Sequence, residues 1–288
     1  MMQRWILGAR LRTLPAAVVP VMVGTAAAAG QGIIWWRGGA ALLVALALQI
    51  GTNFANDYSD GIKGTDGPNR VGPARLVGGG MASPQAVKLA ALLSFGVAAL
   101  VGAVLSLVVA PWLLLVGAAA LAAGWYYTGG KNPYGYRGLG EVFVFVFFGL
   151  VATMGSTYVQ GRQITWLSFS SAVAVGMLAC ALLVVNNLRD RPTDTESGKI
   201  TLAVRLGDRP TRLLYVVLID GALMVASLGV FARPWAPLVL GAGLVAAPAV
   251  RQVLGGASGS ALIPVLALTG KVQIAAGALL TLGLALSA

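Results

Sequence analysis

The chain has 288 residues, 58% of them hydrophobic and only 10% charged, with a mean hydropathy of +0.83 and a net charge of +11. A soluble domain carries about 25% charged residues, so these values exclude an ordinary water-soluble fold and indicate a polytopic membrane protein. The single cysteine, Cys180, excludes an intramolecular disulfide, and the lack of histidine excludes His general bases, His metal ligands and phosphohistidine chemistry.

Nine apolar runs follow in chain order, at 14–29, 40–54, 86–109, 112–127, 142–158, 168–188, 213–231, 236–253 and 262–288. A spanning helix needs about 20 residues, so the shorter runs must draw on flanking residues. The runs are continuous and do not alternate as barrel strands would, which predicts an all-α bundle of about nine transmembrane helices. Residues 1–30 have the basic start, apolar stretch and Ala26-Ala27-Ala28 of a signal peptide. They are read as an uncleaved first span, because the same segment fits the charge pattern.

Nine spans with a cytoplasmic N-terminus put Arg4, Arg10, Arg12, Lys63, Arg70, Arg75, Lys88, Lys131, Arg137, Arg189, Arg191, Lys199, Arg205, Arg209, Arg212 and Arg251 inside. Only Arg37, Arg162 and Arg233 fall outside, and Lys271 interrupts the last run. That asymmetry follows the positive-inside rule and predicts a multi-pass cell-membrane protein with its long polar loops, 57–85, 128–141 and 190–211, on the cytoplasmic side. The basic surface then faces anionic lipid and anionic substrate, and no nucleic-acid partner is expected. Residues 1–288 read as a single integral-membrane domain.

Six of the nine carboxylates lie in two clusters at the ends of the second and sixth runs. The first contains Asn53, Asn56, Asp57, Asp60 and Asp66; the second contains Asn186, Asn187, Asp190, Asp194 and Glu196. An asparagine precedes the first acid by four residues in both, and four spans separate them, the pattern of an internal duplication over 53–66 and 186–196. Residues three or four apart share a helix face, so Asn53, Asp57 and Asp60 line one, and Asn186, Asp190 and Asp194 another, with Pro192 expected to loosen the second. Acids beside hydrocarbon are costly to keep, and paired carboxylates suit Mg²⁺ bridged to a diphosphate, whose charge they would otherwise repel. A helix end emerging into water explains one such cluster; two related ones favour a site.

Between them, the 126–141 loop carries Tyr127, Lys131, Tyr134 and Arg137 among glycines. Lysine and arginine are point and fork donors to phosphate oxygens, and tyrosine hydroxyls add neutral donors. Arg75 in the first long loop and Lys199 in the last are further candidates for diphosphate contacts. Lys271 and Asp220, charges inside apolar runs, are expected to pair with each other or, for Lys271, to meet a substrate carboxylate.

At Asn56-Asp57-Tyr58-Ser59-Asp60, Tyr127-Thr128-Gly129-Gly130-Lys131 and Asp190-Arg191-Pro192-Thr193-Asp194 the chain resembles the UbiA-type intramembrane aromatic prenyltransferases, over nearly its whole length. The family often has a third acid four residues after the position of Asp60; this chain has Gly64 there and an acid at Asp66. With Gly72-Pro73-Ala74-Arg75-Leu76 and Tyr134-Gly135-Tyr136-Arg137-Gly138-Leu139-Gly140-Glu141, that departure is similar to the 1,4-dihydroxy-2-naphthoate polyprenyltransferase branch of menaquinone synthesis. The resemblance implies a bundle around a central cavity open to lipid, a polyprenyl diphosphate donor, Mg²⁺, and transfer to 1,4-dihydroxy-2-naphthoate with loss of CO₂ and diphosphate. It also implies that Asp57, Asp60, Asp190 and Asp194, with Asp66, hold the metal. Asn53, Asn56, Asn186 and Asn187 would orient oxygens, and Lys131 with Tyr127 or Arg137 would neutralise the leaving group. Other aromatic acceptors (4-hydroxybenzoate, homogentisate or a porphyrin) and a membrane transporter are the alternative readings.

Overall fold

The computed structural model describes residues 2–65, 72 and 74–288. Its elements are α1 (Met2–Ala9), α2 (Pro15–Ala27), α3 (Trp35–Lys63), α4 (Pro84–Val109), α5 (Leu113–Tyr126), α6 (Gly140–Val144), α7 (Ala152–Gly161), α8 (Trp166–Glu196), α9 (Leu202–Leu206), α10 (Asp208–Ser227), α11 (Gly243–Leu254) and α12 (Leu262–Leu286), joined in places by short 3-10 turns. Among the described residues there is no strand.

Local chemistry accounts for the element ends. Arg10 takes a left-handed φ of 52° between α1 and α2, Pro15 starts α2 at a position where its missing N–H costs nothing, and the two helices meet at a 50° bend. Ser83 caps α4 ahead of Pro84, and Thr165 and Ser168 form a reciprocal capping box on α8. Gly64, at φ 74°, terminates α3 in the left-handed conformation that glycine adopts without strain. A π-helical segment, Phe145–Val151, links α6 to α7, and a Cβ on its Gly149 would lie 2.5 Å from the Gly176 Cα of α8. The missing side chain is what lets these two backbones touch.

Seven helical segments are long and apolar enough to span a bilayer, and the bent pair Gln3–Thr13 and Pro15–Ala27 makes an eighth if it acts as one span. The expected nine runs are all helical, but the run at 112–127 yields only the 14-residue α5. At 1.5 Å per residue that helix is about 21 Å long, short of a hydrocarbon core of about 30 Å. Among the described residues the chain is thus a multi-pass membrane protein with seven or eight candidate spans by length and composition, and α5 is a shorter apolar helix beside them.

The most enclosed helix is α8. It packs with α2, α10 and α12 around Val175, Val184, Tyr215, Ile219, Val272 and Leu280. A smaller core joins α3 and α4 beneath Leu76, with Phe54 and Phe95 buried there. Pro192 does not loosen α8, which continues helical to Glu196. The two acid clusters therefore sit on the last turns of two long helices, α3 and α8, and the 127–141 segment joins them at one end of the bundle.

Candidate active site

Each sequence-predicted residue on α3 is buried and committed to a partner. Asn53 donates to the Ala9 carbonyl at 2.9 Å and to Thr13 Oγ1 at 3.0 Å, while Gln49 donates to the same threonine at 2.9 Å. Asn53 thereby fastens α3 to the bend between α1 and α2. Asn56 Oδ1 accepts from Thr128 Oγ1 at 2.9 Å. Both oxygens of Asp57 accept backbone N–H groups, from Val77 and Leu76, each at 2.9 Å. One carboxylate thus pins the 74–82 segment over the end of α3, with Leu76 fully buried beneath it. Asp60 Oδ1 accepts from the Tyr136 hydroxyl at 2.8 Å.

The acids of α8 are held by cations. Arg189 Nε and Nη2 donate to the two oxygens of Asp190 at 2.7 and 2.6 Å, a bidentate pair buried on both sides, and Nη2 also reaches Asn186 Oδ1 at 2.9 Å. Lys199 Nζ lies 3.4 Å from Asp194 Oδ1, while Asp194 Oδ2 is buried with no hydrogen-bond partner. Asn187 donates to Glu141 Oε1 at 2.9 Å, and Glu141 Oε2 is likewise buried without a partner.

The connecting segment brings the two sets together. The ring of Tyr136 has Lys63 Nζ 4.9 Å from its centroid and Lys199 Nζ 5.5 Å from it. Its hydroxyl holds Asp60, and its carbonyl accepts the Ile200 N–H at 3.1 Å. Tyr136 is therefore the bridge between the α3 cluster and the α8 cluster. Lys63 also donates to the Thr128 carbonyl at 2.6 Å, which fixes the end of α5 against α3. Tyr127 packs edge-on against Tyr134, which stacks on Phe143 with centroids 3.8 Å apart. The Tyr134 hydroxyl is spent on the Ala123 carbonyl at 2.8 Å. Burial pushes the Tyr127 hydroxyl well above the usual phenol range, and the negative charges of Glu141, Asp60 and Asp194 raise it further. Burial also raises Tyr134. Both phenols stay neutral near pH 7, so Tyr127 is available there as an uncharged donor.

The structure unites Asp60, Asp194, Tyr127, Asn187 and Lys199 around one end of the bundle. It leaves Lys131 and Arg137 exposed, and Arg75 half-buried beside the segment that Asp57 holds. Asp66 lies outside the described residues. Asp220 and Lys271 do not pair with each other: both are exposed, on different helices. Tyr136, Arg189 and Glu141 also carry contacts at this end of the bundle, although none of them is among the sequence-predicted site residues. The signal that could have found Tyr136 and Glu141 is their place in the 126–141 loop, between residues already singled out.

Among the described residues no group of three or more acids or cysteines is close enough to enclose a metal by itself. Mg²⁺ does not require such a cage: it commonly takes one or two carboxylates, several waters and the oxygens of a bound phosphate. The unpartnered Asp194 Oδ2 and the hard oxygen donors of Asp60 suit that arrangement.

A profile described as the UbiA prenyltransferase family matches residues 17–261. A 1,4-dihydroxy-2-naphthoate octaprenyltransferase of Mycobacterium tuberculosis is 51% identical over 276 residues, covering 94% of this chain and 93% of that protein. Among solved structures, the apo form of a UbiA homolog from Aeropyrum pernix K1 superposes with a TM-score of 0.71 at 16% identity, covering 98% of both chains. A UbiA homolog from Archaeoglobus fulgidus bound to GPP and Mg²⁺ gives a TM-score of 0.62 at 13% identity, over 96% of this chain and 99% of that one.

Proposed function

The chain belongs to the UbiA prenyltransferase family, and from that premise we propose that it transfers a polyprenyl group from polyprenyl diphosphate to 1,4-dihydroxy-2-naphthoate, releasing diphosphate and CO₂. The observation that carries this reading is the 51% identity, over nearly the full length of both chains, to a protein named for that activity. The joined acid ends of α3 and α8 supply its chemistry.

Asp60 and Asp194 are the carboxylates best placed to hold Mg²⁺ against the diphosphate, with Asp57, Asp190 and Asp66 as the remaining acids of the two motifs. Mg²⁺ held by these carboxylates would supply charge neutralisation for the diphosphate leaving group. Lys199, half-buried at Asp194, and the exposed Lys131 and Arg137 offer cationic donors to the same phosphates. Tyr127, kept neutral, donates without adding to the charge balance. The apolar bodies of the helices keep water from the allylic cation that forms when the C–O bond to diphosphate breaks. The electron-rich ring then forms the new C–C bond, and loss of its carboxylate as CO₂ restores aromaticity. The excess of basic residues in the loops at this end of the bundle supports a cytoplasmic position, giving access to a water-soluble acceptor and released diphosphate.

The test is product analysis by mass spectrometry, with purified protein, Mg²⁺, a polyprenyl diphosphate and a mixture of aromatic acids. A prenylated naphthoquinol lacking the carboxylate is expected. A prenylated benzoate would overturn the acceptor, and no metal-dependent product from folded protein would overturn the reaction.

A further inference from the structure

Helices α10 and α12 run in the same direction with α11 reversed between them. Arg212, near the start of α10, donates to the Val253 and Ala257 carbonyls at 2.6 and 2.9 Å. At the far end Trp235 N donates to Ser287 Oγ at 3.2 Å. Their relative height is set in the core, where Tyr215 Oη and Thr269 Oγ1 lie 2.8 Å apart. Two charges stand just beyond that bond, Asp220 five residues further along α10 and Lys271 two residues further along α12. At 1.5 Å per residue their heights differ by about 4–5 Å, a gap that a lysine stem covers.

Neither charge has work to do within the chain. Both are exposed, and neither has a hydrogen bond or ion pair among the described residues. At 3.6 residues per turn Asp220 points about 140° away from Tyr215, and Lys271 about 160° away from Thr269. The face that joins the two helices is therefore not the face that carries the charges. Asp220 continues a stripe with Leu213, Val217 and Met224, which are 52%, 61% and 66% exposed. Lys271 lies in line with Ile274 and Leu282, 50% and 48% exposed. Each charge is twelve residues into its span, counted from Asp208 and Gly259, or about 18 Å along the helix. An aspartate has one methylene and cannot reach the interface from that depth; a lone carboxylate and a lone ammonium are both costly in hydrocarbon.

Opposite charges whose difference in height a lysine stem covers, on two helices that flank a third, make this face complementary to itself. We propose that the outer face of α10, α11 and α12 is the interface between two copies of this chain, with Asp220 of each paired to Lys271 of the partner subunit. A two-fold axis along the membrane normal, passing in front of α11, reverses the helix order across the interface. It sets α10 against the partner's α12 twice over, so both charge pairs form by one operation. The centre of the face suits close approach: Gly241 and Ala247 beside α11's exposed Leu244 are small residues of the kind that let membrane helices touch. Pairing gives each ion its counter-ion where no water is available.

The experiment uses full-length protein in bilayers and does not depend on turnover, so its failure is separate from failure of the proposed activity. Asp220→Cys and Lys271→Cys chains carrying different tags are co-expressed and treated with a short bis-maleimide; the one native thiol, Cys180, is buried. A cross-link joining the two tags is expected, at least tenfold above that in either variant alone. Photobleaching of labelled wild-type protein in vesicles should show two steps. Asp220→Lys should shift the monomer–dimer midpoint tenfold or more towards monomer, and combining it with Lys271→Asp should restore the dimer. A monomeric wild type overturns the proposal, as does a dimer that survives Asp220→Lys or gives no mixed cross-link.

Discussion

The two acid motifs look alike in sequence but are held by different chemistry. On α3, Asp57 accepts two backbone N–H groups and Asp60 a tyrosine hydroxyl, so among the described residues the hydrogen-bond donors to both acids are neutral. On α8, Asp190 is gripped by Arg189 and Asp194 faces Lys199. Among the described residues, the first acid of each pair has both oxygens hydrogen-bonded and the second has only one engaged. In the proposed reaction the first acid of each motif is assigned to shaping the site, and the second to the ligand. Equal spacing along two helices does not mean equal roles, because spacing sets only which way a side chain points.

The comparison is tested most strongly at the second acids. Asp194→Asn and Asp60→Asn should each lower kcat by about 10²–10³-fold while the protein stays inserted and folded, since a metal-bound charge is lost at the reacting centre. Turnover assays over a Mg²⁺ titration, beside circular dichroism, measure this; near-normal activity in either variant would break the assignment. Arg189→Met should cost about 3 kcal/mol of stability by leaving the buried Asp190 without its fork, read as a lowered unfolding midpoint. A smaller loss, about 1–3 kcal/mol, is expected for Asp57→Asn, because an amide offers one acceptor oxygen to the two N–H groups of Leu76 and Val77. Faster proteolysis between residues 64 and 83 would report that release. If Asp57→Asn instead abolished turnover with the 74–82 segment still protected, the division between first and second acids would fail. The mildest change is Tyr136→Phe, which removes one hydrogen bond to Asp60 and should cost about 1 kcal/mol, or roughly fivefold in kcat/KM. Glu141 offers a finer check on the α8 side: Glu141→Ala should free Asn187, raising KM for the diphosphate more than it lowers kcat.

Much of the site was legible before any coordinates. Motif spacing points to Asp60, Asp194 and Asn187, and donor groups in the polar loops to Tyr127 and Lys199; the structure brings these residues to one end of the bundle. Asn53 was also named, as a group orienting ligand oxygens, yet its amide ties α3 to Ala9 and Thr13. Its partners are about forty residues away in the chain, and no local pattern encodes them. Tyr136 was passed over for the charged Lys131 and Arg137 on either side, because charge is visible in a sequence and a bridging position is not. The run at 112–127 is helical only over Leu113–Tyr126: hydropathy marks an apolar run but does not say where the helix within it stops.

By itself the sequence determined the class of molecule. Continuous apolar runs compel helices in a bilayer, and acids retained at their ends mark where charge is used. Only the tertiary structure decided which acid has both oxygens bonded to protein donors and which does not. It alone showed that Asp220 and Lys271 turn outward from helices whose inner faces meet. Both outcomes rest on side-chain direction across distant helices, which helix packing sets and linear spacing does not.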